Sequence, residues 1–243
     1  MRELRCALVV VGNEILSGKV QDSNAYFAAR QLRKSGASLE RIAVVPDEVG
    51  AIAEEVRRSA ARFDVVITSG GVGPTHDDLT IAGVAAAFER PVVRSPELEA
   101  CIRRHFGERT NEARLKMAEV PAGTVLNPGP DPWFPTVQVE NVYILPGIPE
   151  AFEPKLCALT ERFTADPYFS RTIYSRAGES DIAACLNSCL CEFPELLLGS
   201  YPKWGDQAYR VKLTLESKDP SYLERAFTRL MDLLPKEAVV GTD

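Results

Sequence analysis

Several things are scarce or missing in this chain, and each absence closes off a class of protein. It has no basic surplus: 28 lysines and arginines stand against 34 acidic side chains, a net charge of −6. That balance argues against a general binder of nucleic acid or of anionic membranes. No apolar run approaches the roughly 20 residues that span a bilayer. The opening, MRELRCALVVVGNEIL, sets basic residues before an apolar run as a secretory signal would. Its run CALVVV is short, however, and meets Gly-Asn-Glu, so it reads as a buried strand entering a loop, and the expected location is cytoplasmic. Only two histidines occur among 243 residues. The six cysteines follow no pattern of a small disulfide-framed domain. Cys185, Cys189 and Cys191 cluster as C-x3-C-x-C but lack the paired C-x2-C of a zinc site. Cys185 and Cys189 are expected to share a helix face as small apolar side chains. There is no Walker loop, and no internal repeat or low-complexity segment.

What is present is a regular alternation. Residues 4–11 form a continuous apolar run, as in a strand covered on both faces. Residues 23–36 form an amphipathic helix with Gly36 at its C-terminal stop. A strand over 37–46, a helix over 47–63 and a short β-branched strand over 64–69 follow. Helices are predicted near 78–89, 97–107 and 111–118. Two strands flank Glu140-Asn141, and a helix with Pro149 in its first turn runs over 149–163. The pattern predicts an α/β fold: a three-layer, doubly wound, mostly parallel sheet over residues 1–166. From residue 167 the texture changes to a small α+β (βαββα) module ending at residue 243. In that module Trp204 reads as a turn residue packed on the module, or as an exposed contact.

In open α/β sheets, ligands sit beyond the carboxyl ends of the strands, at the point where strand order reverses. Three loops follow the apolar strands: GNEILSGKVQDSN (12–24), SGGVGPTHDD (69–78) and PGIPE (146–150). Each carries glycine and carboxylate. In a flavodoxin-like order the first and third strands are neighbours, which brings the first two loops into one crevice. The glycines alone are a weak signal, because His76 stands where a dinucleotide fingerprint needs its third glycine. A tight strand-to-helix turn would also use them. The loop over 69–78 holds a contradiction: glycines and a helix start that favour phosphate, followed by Asp77 and Asp78, which repel it. A divalent cation bridging carboxylate and phosphate resolves it. Each residue also has a plainer reading. Thr75 or Asp77 could cap the helix, and Glu14 could be a solvated loop carboxylate. Glu150 could neutralise a helix start. His76 could be a base or a surface residue. Lys116 could reach a phosphate or remain a solvated helix lysine.

The stretches GNEILSG, DSN, TSGGVGPTHDDLT, LKMAEVPAG and NVYILPGIPE together resemble the MoaB/Mog/MoeA-like molybdopterin-binding fold. The branch they are most similar to contains the CinA-type proteins and the N-terminal, FAD-hydrolysing domain of eukaryotic FAD synthases. The tail SRTIYSRAGESDIA to YRVKLTL is similar to that branch too. The resemblance implies a metal-dependent pyrophosphatase cleaving FAD to FMN and AMP, or cleaving ADP-ribose. It implies cobalt, magnesium or manganese as the divalent metal and potassium as a supporting ion. On this reading Gly12, Asn13 and Glu14, then Ser69, Gly70, Gly71, Gly73, Pro74 and Thr75, then Pro146 and Gly147, hold the substrate. Asp77 and Asp78, with Glu14 and Asp22, hold the metal. Asp78 is the preferred base, and Lys116 offsets charge on the leaving phosphate. A pterin-phosphate binding protein, or a Mog-like adenylyltransferase, would use the same crevice. The expected partners are a small nucleotide or pterin phosphate and further copies of the chain, with no nucleic acid and no membrane. Neither the deamidase domain frequent in CinA proteins nor an FAD-synthesising domain has room in this sequence, so neither activity is expected of it.

Overall fold

The structure is a computed structural model and describes residues 3–129, 134–163, 165–205 and 208–243. The chain divides into two compact units, Met1–Ala165 and Asp166–Asp243.

In the first unit, β1 (Arg5–Val11) leads through the one-turn α1 (Asn13–Leu16) to α2 (Asn24–Lys34), β2 (Ser38–Val45), α3 (Val49–Ala60) and β3 (Val65–Ser69). Then come α4 (Thr80–Ala87), β4 (Val92–Arg94), α5 (Pro96–Phe106), α6 (Glu112–Lys116), β5 (Glu119–Pro121) and β6 (Val125–Asn127). The hairpin β7 (Thr136–Val139) and β8 (Val142–Leu145) precedes α7 (Pro149–Thr160). The main sheet has the order β2-β1-β3-β8-β7-β6. Strands β2, β1, β3 and β8 run parallel, and β7 is antiparallel to both of its neighbours. β1 and β3 are therefore adjacent, as expected. Glu140, at the turn between β7 and β8, takes a positive φ of 51°.

The unbroken apolar run of β1 is explained by two cores. Ala7, Val9 and Val11 point into one with α3, α4 and α5. Cys6, Leu8 and Val10 point into the other with α2 and α7. With layers on both faces, a strand has no wet side on which to place polar residues. Burial has a chemical consequence at Cys6, whose thiol is fully buried and pushed up to about 12 by desolvation. Cys191, by contrast, is exposed. Maleimide labelling of the native protein at pH 8, read by mass spectrometry, should therefore modify Cys191 first. Cys6 and Cys189 should label only with unfolding; equal rates for Cys6 and Cys191 would contradict this packing.

The second unit comprises β9 (Phe169–Ser175), α8 (Glu179–Glu192), β10 (Leu197–Pro202), β11 (Val211–Ser217), α9 (Pro220–Leu233) and β12 (Val239–Thr242). Its antiparallel sheet has the order β10-β11-β9-β12. The βαββα expectation is corrected by β12, a final strand that pairs with β9. Ile173, Leu213 and Leu215 face Ile182, Cys189, Leu223 and Leu230 of the two helices in a third core. Cys189 is buried and Cys185 partly buried on the same α8 face. The packed reading of Trp204 is corrected as well: its side chain is 94% exposed. Among the described residues no helix is long and apolar enough to cross a membrane.

Candidate functional site

The parallel strands β1, β3 and β8 end side by side, and their three loops enclose a cavity of about 670 Å³. The first loop contributes Glu14 and Asp22. The second contributes Ser69, Gly70, Gly71, Gly73, Pro74 and Asp78, and the third contributes Pro146 and Gly147. Apolar side chains complete the wall, among them Val20, Ile81, Met117, Phe134 and Ile148.

The β3 loop is shaped by contacts that only glycine permits. Gly70 has φ +100°, and a Cβ there would lie 2.3 Å from the Val11 carbonyl oxygen. Its own carbonyl accepts from Thr80 Oγ1 at 2.7 Å. Gly147 approaches from the third loop: a Cβ on it would lie 3.0 Å from Gly70 Cα. The backbones of two loops thus touch with no side chain between them.

Asp78 organises the rest of that loop. Its Oδ1 accepts from Gly73 N at 2.6 Å, and its Oδ2 accepts from Thr75 N at 2.7 Å and from the Thr75 hydroxyl. The expected capping role of Thr75 or Asp77 is corrected. The α4 N-cap is Leu79, and no side chain caps it. Asp77 turns outward with His76: their side chains are 61% and 97% exposed, and neither lines the cavity. The Asp77 carboxyl is held below its ordinary range, first by hydrogen bonding to Thr75 and then by its own backbone N–H, with His76 and Lys116 adding attraction. Lys116 is corrected too. Its ammonium donates to the Thr75 carbonyl, outside the cavity lining, so it pins the loop. Gly12, Asn13 and Thr75 likewise stand behind the lining. Asn13 N donates to Asp47 Oδ2 at 2.7 Å, and the Glu14 carboxylate lies against Gly12 Cα. Glu150 sits exposed in the first turn of α7, as its helix-start reading expects.

Of the four carboxylates expected to hold a metal, Glu14, Asp22 and Asp78 line the cavity and Asp77 does not. Asp22 spends Oδ1 on Ala25 N at the start of α2, and Asp78 spends both oxygens on its loop. Among the described residues no three His, Cys, Asp or Glu side chains converge to hold a metal by themselves.

Two residues that the sequence reading passed over belong to the site. Asn24, 5% exposed, donates from Nδ2 to Ser69 Oγ at 2.9 Å and to the Gly147 carbonyl at 2.8 Å. One amide thereby joins all three loops. Because the Gly147 carbonyl is only an acceptor, the NH₂ end must face it, and Oδ1 is left buried without a partner among the described residues. Lys155, 7% exposed, also lines the cavity and donates to the Phe134 carbonyl at 2.5 Å. It sits in the buried stripe Phe152, Lys155, Leu156, Leu159 of α7, and a charge in an apolar stripe was the available signal.

Residues 7–163 match the family model described as "Probable molybdopterin binding domain", and residues 167–243 match "FAD synthase, middle domain". The chain belongs to the molybdopterin-binding-domain family, joined here to that FAD synthase middle domain. A protein of Archaeoglobus fulgidus is 34% identical over 93% of this chain and 96% of its own length. A "Probable FAD synthase" of Caenorhabditis elegans is 33% identical over 94% of this chain, and this chain spans about half (49%) of its length. Among solved structures, the protein CinA of unknown function from Thermoplasma acidophilum is similar at 32% identity with TM-score 0.60, over 65% of this chain and 97% of that one.

Proposed function

We propose that the N-terminal unit is a metal-assisted pyrophosphatase acting on FAD or ADP-ribose. The observation that supports it is the joint lining of one cavity by three kinds of surface. Glycine backbone at Gly70, Gly71 and Gly73 suits a pyrophosphate. Carboxylates at Glu14 and Asp22 suit a cation, and the wall with Val20, Ile81, Met117 and Phe134 suits a flat ring. The donors fit an oxygen-ligated divalent ion held by Glu14 or Asp22 and completed by ligand phosphate oxygens, not a closed protein cage. Such an ion supplies charge neutralisation at the phosphoanhydride and a water of lowered pKa. Asp78 shapes the glycine loop from inside, and Lys116 holds its outer turn. The family match and the FAD synthase relatives support a nucleotide as ligand.

Incubation with FAD, ADP-ribose and ATP, with and without cobalt or magnesium, should release AMP from FAD or ADP-ribose only when metal is added. No AMP under any metal would reject the hydrolase. Adenylylated pterin formed from ATP would favour the adenylyltransferase, and a pterin phosphate retained unchanged would favour a binding protein. Asp78→Ala should lose binding together with turnover, with kcat/KM down by about 100-fold or more, because three loop donors lose their acceptor and the loop shifts. An Asp78→Ala protein that bound with native affinity would show that the loop does not depend on it.

A further inference from the structure

The second unit carries a feature that this activity does not use. Strand β10 lies at the edge of its sheet, and among the described residues the strand it pairs with is β11. Its sequence LLGSYP contains no charge, and its proline is the last residue. Edge strands that stay single are commonly blunted by charge, by a bulge or by an internal proline, and β10 has none of these along Leu197–Tyr201. Leu198 packs into the core opposite Leu215, so Leu197, Gly199 and Tyr201 share the other face. Leu197 is 46% and Tyr201 56% exposed, and Trp204 stands just beyond the strand.

We propose that β10 pairs antiparallel with β10 of a second copy of this chain, about a two-fold axis passing through Gly199. The strand's own residues select that register. A two-fold axis normal to the sheet preserves its faces, so odd-numbered residues must meet odd-numbered residues. Centred on Leu198, Tyr201 would meet Glu195. Centred on Ser200, Leu197 would meet Lys203. Centred on Gly199, Leu197 meets Tyr201 and Leu198 meets Ser200, while Glu195 and Lys203, which flank the strand, fall at the same end of the pair. This register alone among the three sets apolar against apolar and acid near base. Lys203 keeps its place over the Tyr209 ring, 5.0 Å from the centroid, and its charge marks the end of the strand. Gly199 also suits the axis. A Cβ there would lie 2.7 Å from the Tyr201 ring and 2.9 Å from Thr214 Oγ1, so the Tyr201 side chain lies over Gly199. Two such rings would converge across the axis on two bare glycines.

Sedimentation velocity of the full chain over a wide concentration range tests this. A reversible association step is expected, weakened about tenfold or more by Leu197→Lys or Tyr201→Lys. Glu195→Lys should weaken it, and Glu195→Lys combined with Lys203→Glu should restore it. The altered side chains are solvent-exposed, and far-UV melts would verify that each variant folds. No association in the parent chain, or association that Leu197→Lys leaves unchanged, would overturn the interface. Association sensitive to Leu197→Lys but not to either charge reversal would overturn the register through Gly199.

Discussion

Gly70→Ala is expected to destabilise the N-terminal unit by about 3 kcal/mol or more, from strain at a positive φ together with overpacking. Two costs coincide at this residue. Its φ of +100° lies where L side chains are rarely found, and the new Cβ would sit 2.3 Å from the Val11 carbonyl oxygen. That oxygen belongs to the end of β1, whose ladders to β2 and β3 hold it in place. The loop must therefore move, and Gly147, packed against Gly70 Cα, must move with it. For a unit of this size the shift in Tm is roughly 6–12 °C. Gly73→Ala makes the useful contrast. There the new Cβ meets the Asp78 carboxylate at 2.7 Å, a side chain rather than strand backbone, whose displacement strains the loop's hydrogen bonds but leaves β1 in place. Gly73→Ala should lower Tm less than Gly70→Ala does while still weakening ligand binding. Calorimetry of both variants checks the pair, and equal Tm values for the two would contradict the close approach at Gly70.

The same contrast shows how far the sequence was readable. The glycines of the β3 loop announced a turn, but which of them touches backbone and which touches a side chain depends on Val11 and Gly147, distant in the chain. The long strands and helices were legible because each carries its own period: β1 through a run with no polar side, α2 and α3 through stripes. β4, β5 and β6 have three residues each, too short for any period, and they exist through pairing with partners elsewhere. The crevice was legible from the loops that follow β1, β3 and β8. The roles inside it were less so. Asp77 and Asp78 are adjacent and chemically identical in sequence, yet one turns to solvent and the other accepts three loop hydrogen bonds. Lys116 reads as a phosphate contact, but its ammonium meets the Thr75 carbonyl, a partner that no spacing rule identifies. Asn24 follows Asp22-Ser23 at a helix start, where capping is the ordinary reading, and Asp22 does cap the helix through Ala25. The amide of Asn24 instead reaches residues 45 and 123 positions away.

That reach makes Asn24 the second sensitive point. In Asn24→Leu, the Gly147 carbonyl and the Ser69 hydroxyl each lose a buried donor, at about 1–3 kcal/mol apiece. Removing the unpartnered Oδ1 offsets part of this, so the net loss is about 1–3 kcal/mol. The consequence for binding should exceed the loss of stability, because one amide sets the spacing of all three loops that line the cavity. Asn24→Asp separates the hydrogen-bonding role from packing. A carboxylate there is nearly isosteric but cannot donate, and it faces the Gly147 carbonyl in a buried site. Its protonated form is favoured in the folded state, so its folded pKa is raised above the unfolded value of about 3.9. The folded state then binds more protons than the unfolded state, and stability falls as pH rises from about 4 towards the folded pKa. Urea unfolding of Asn24→Asp should therefore show its smallest deficit relative to the parent protein near pH 4 and its largest at neutral pH. Asn24→Leu should show a deficit that does not vary with pH. A pH-independent deficit in Asn24→Asp would mean that the residue is solvated, and that the three loops are held together by the close contact of Gly70 with Gly147 alone.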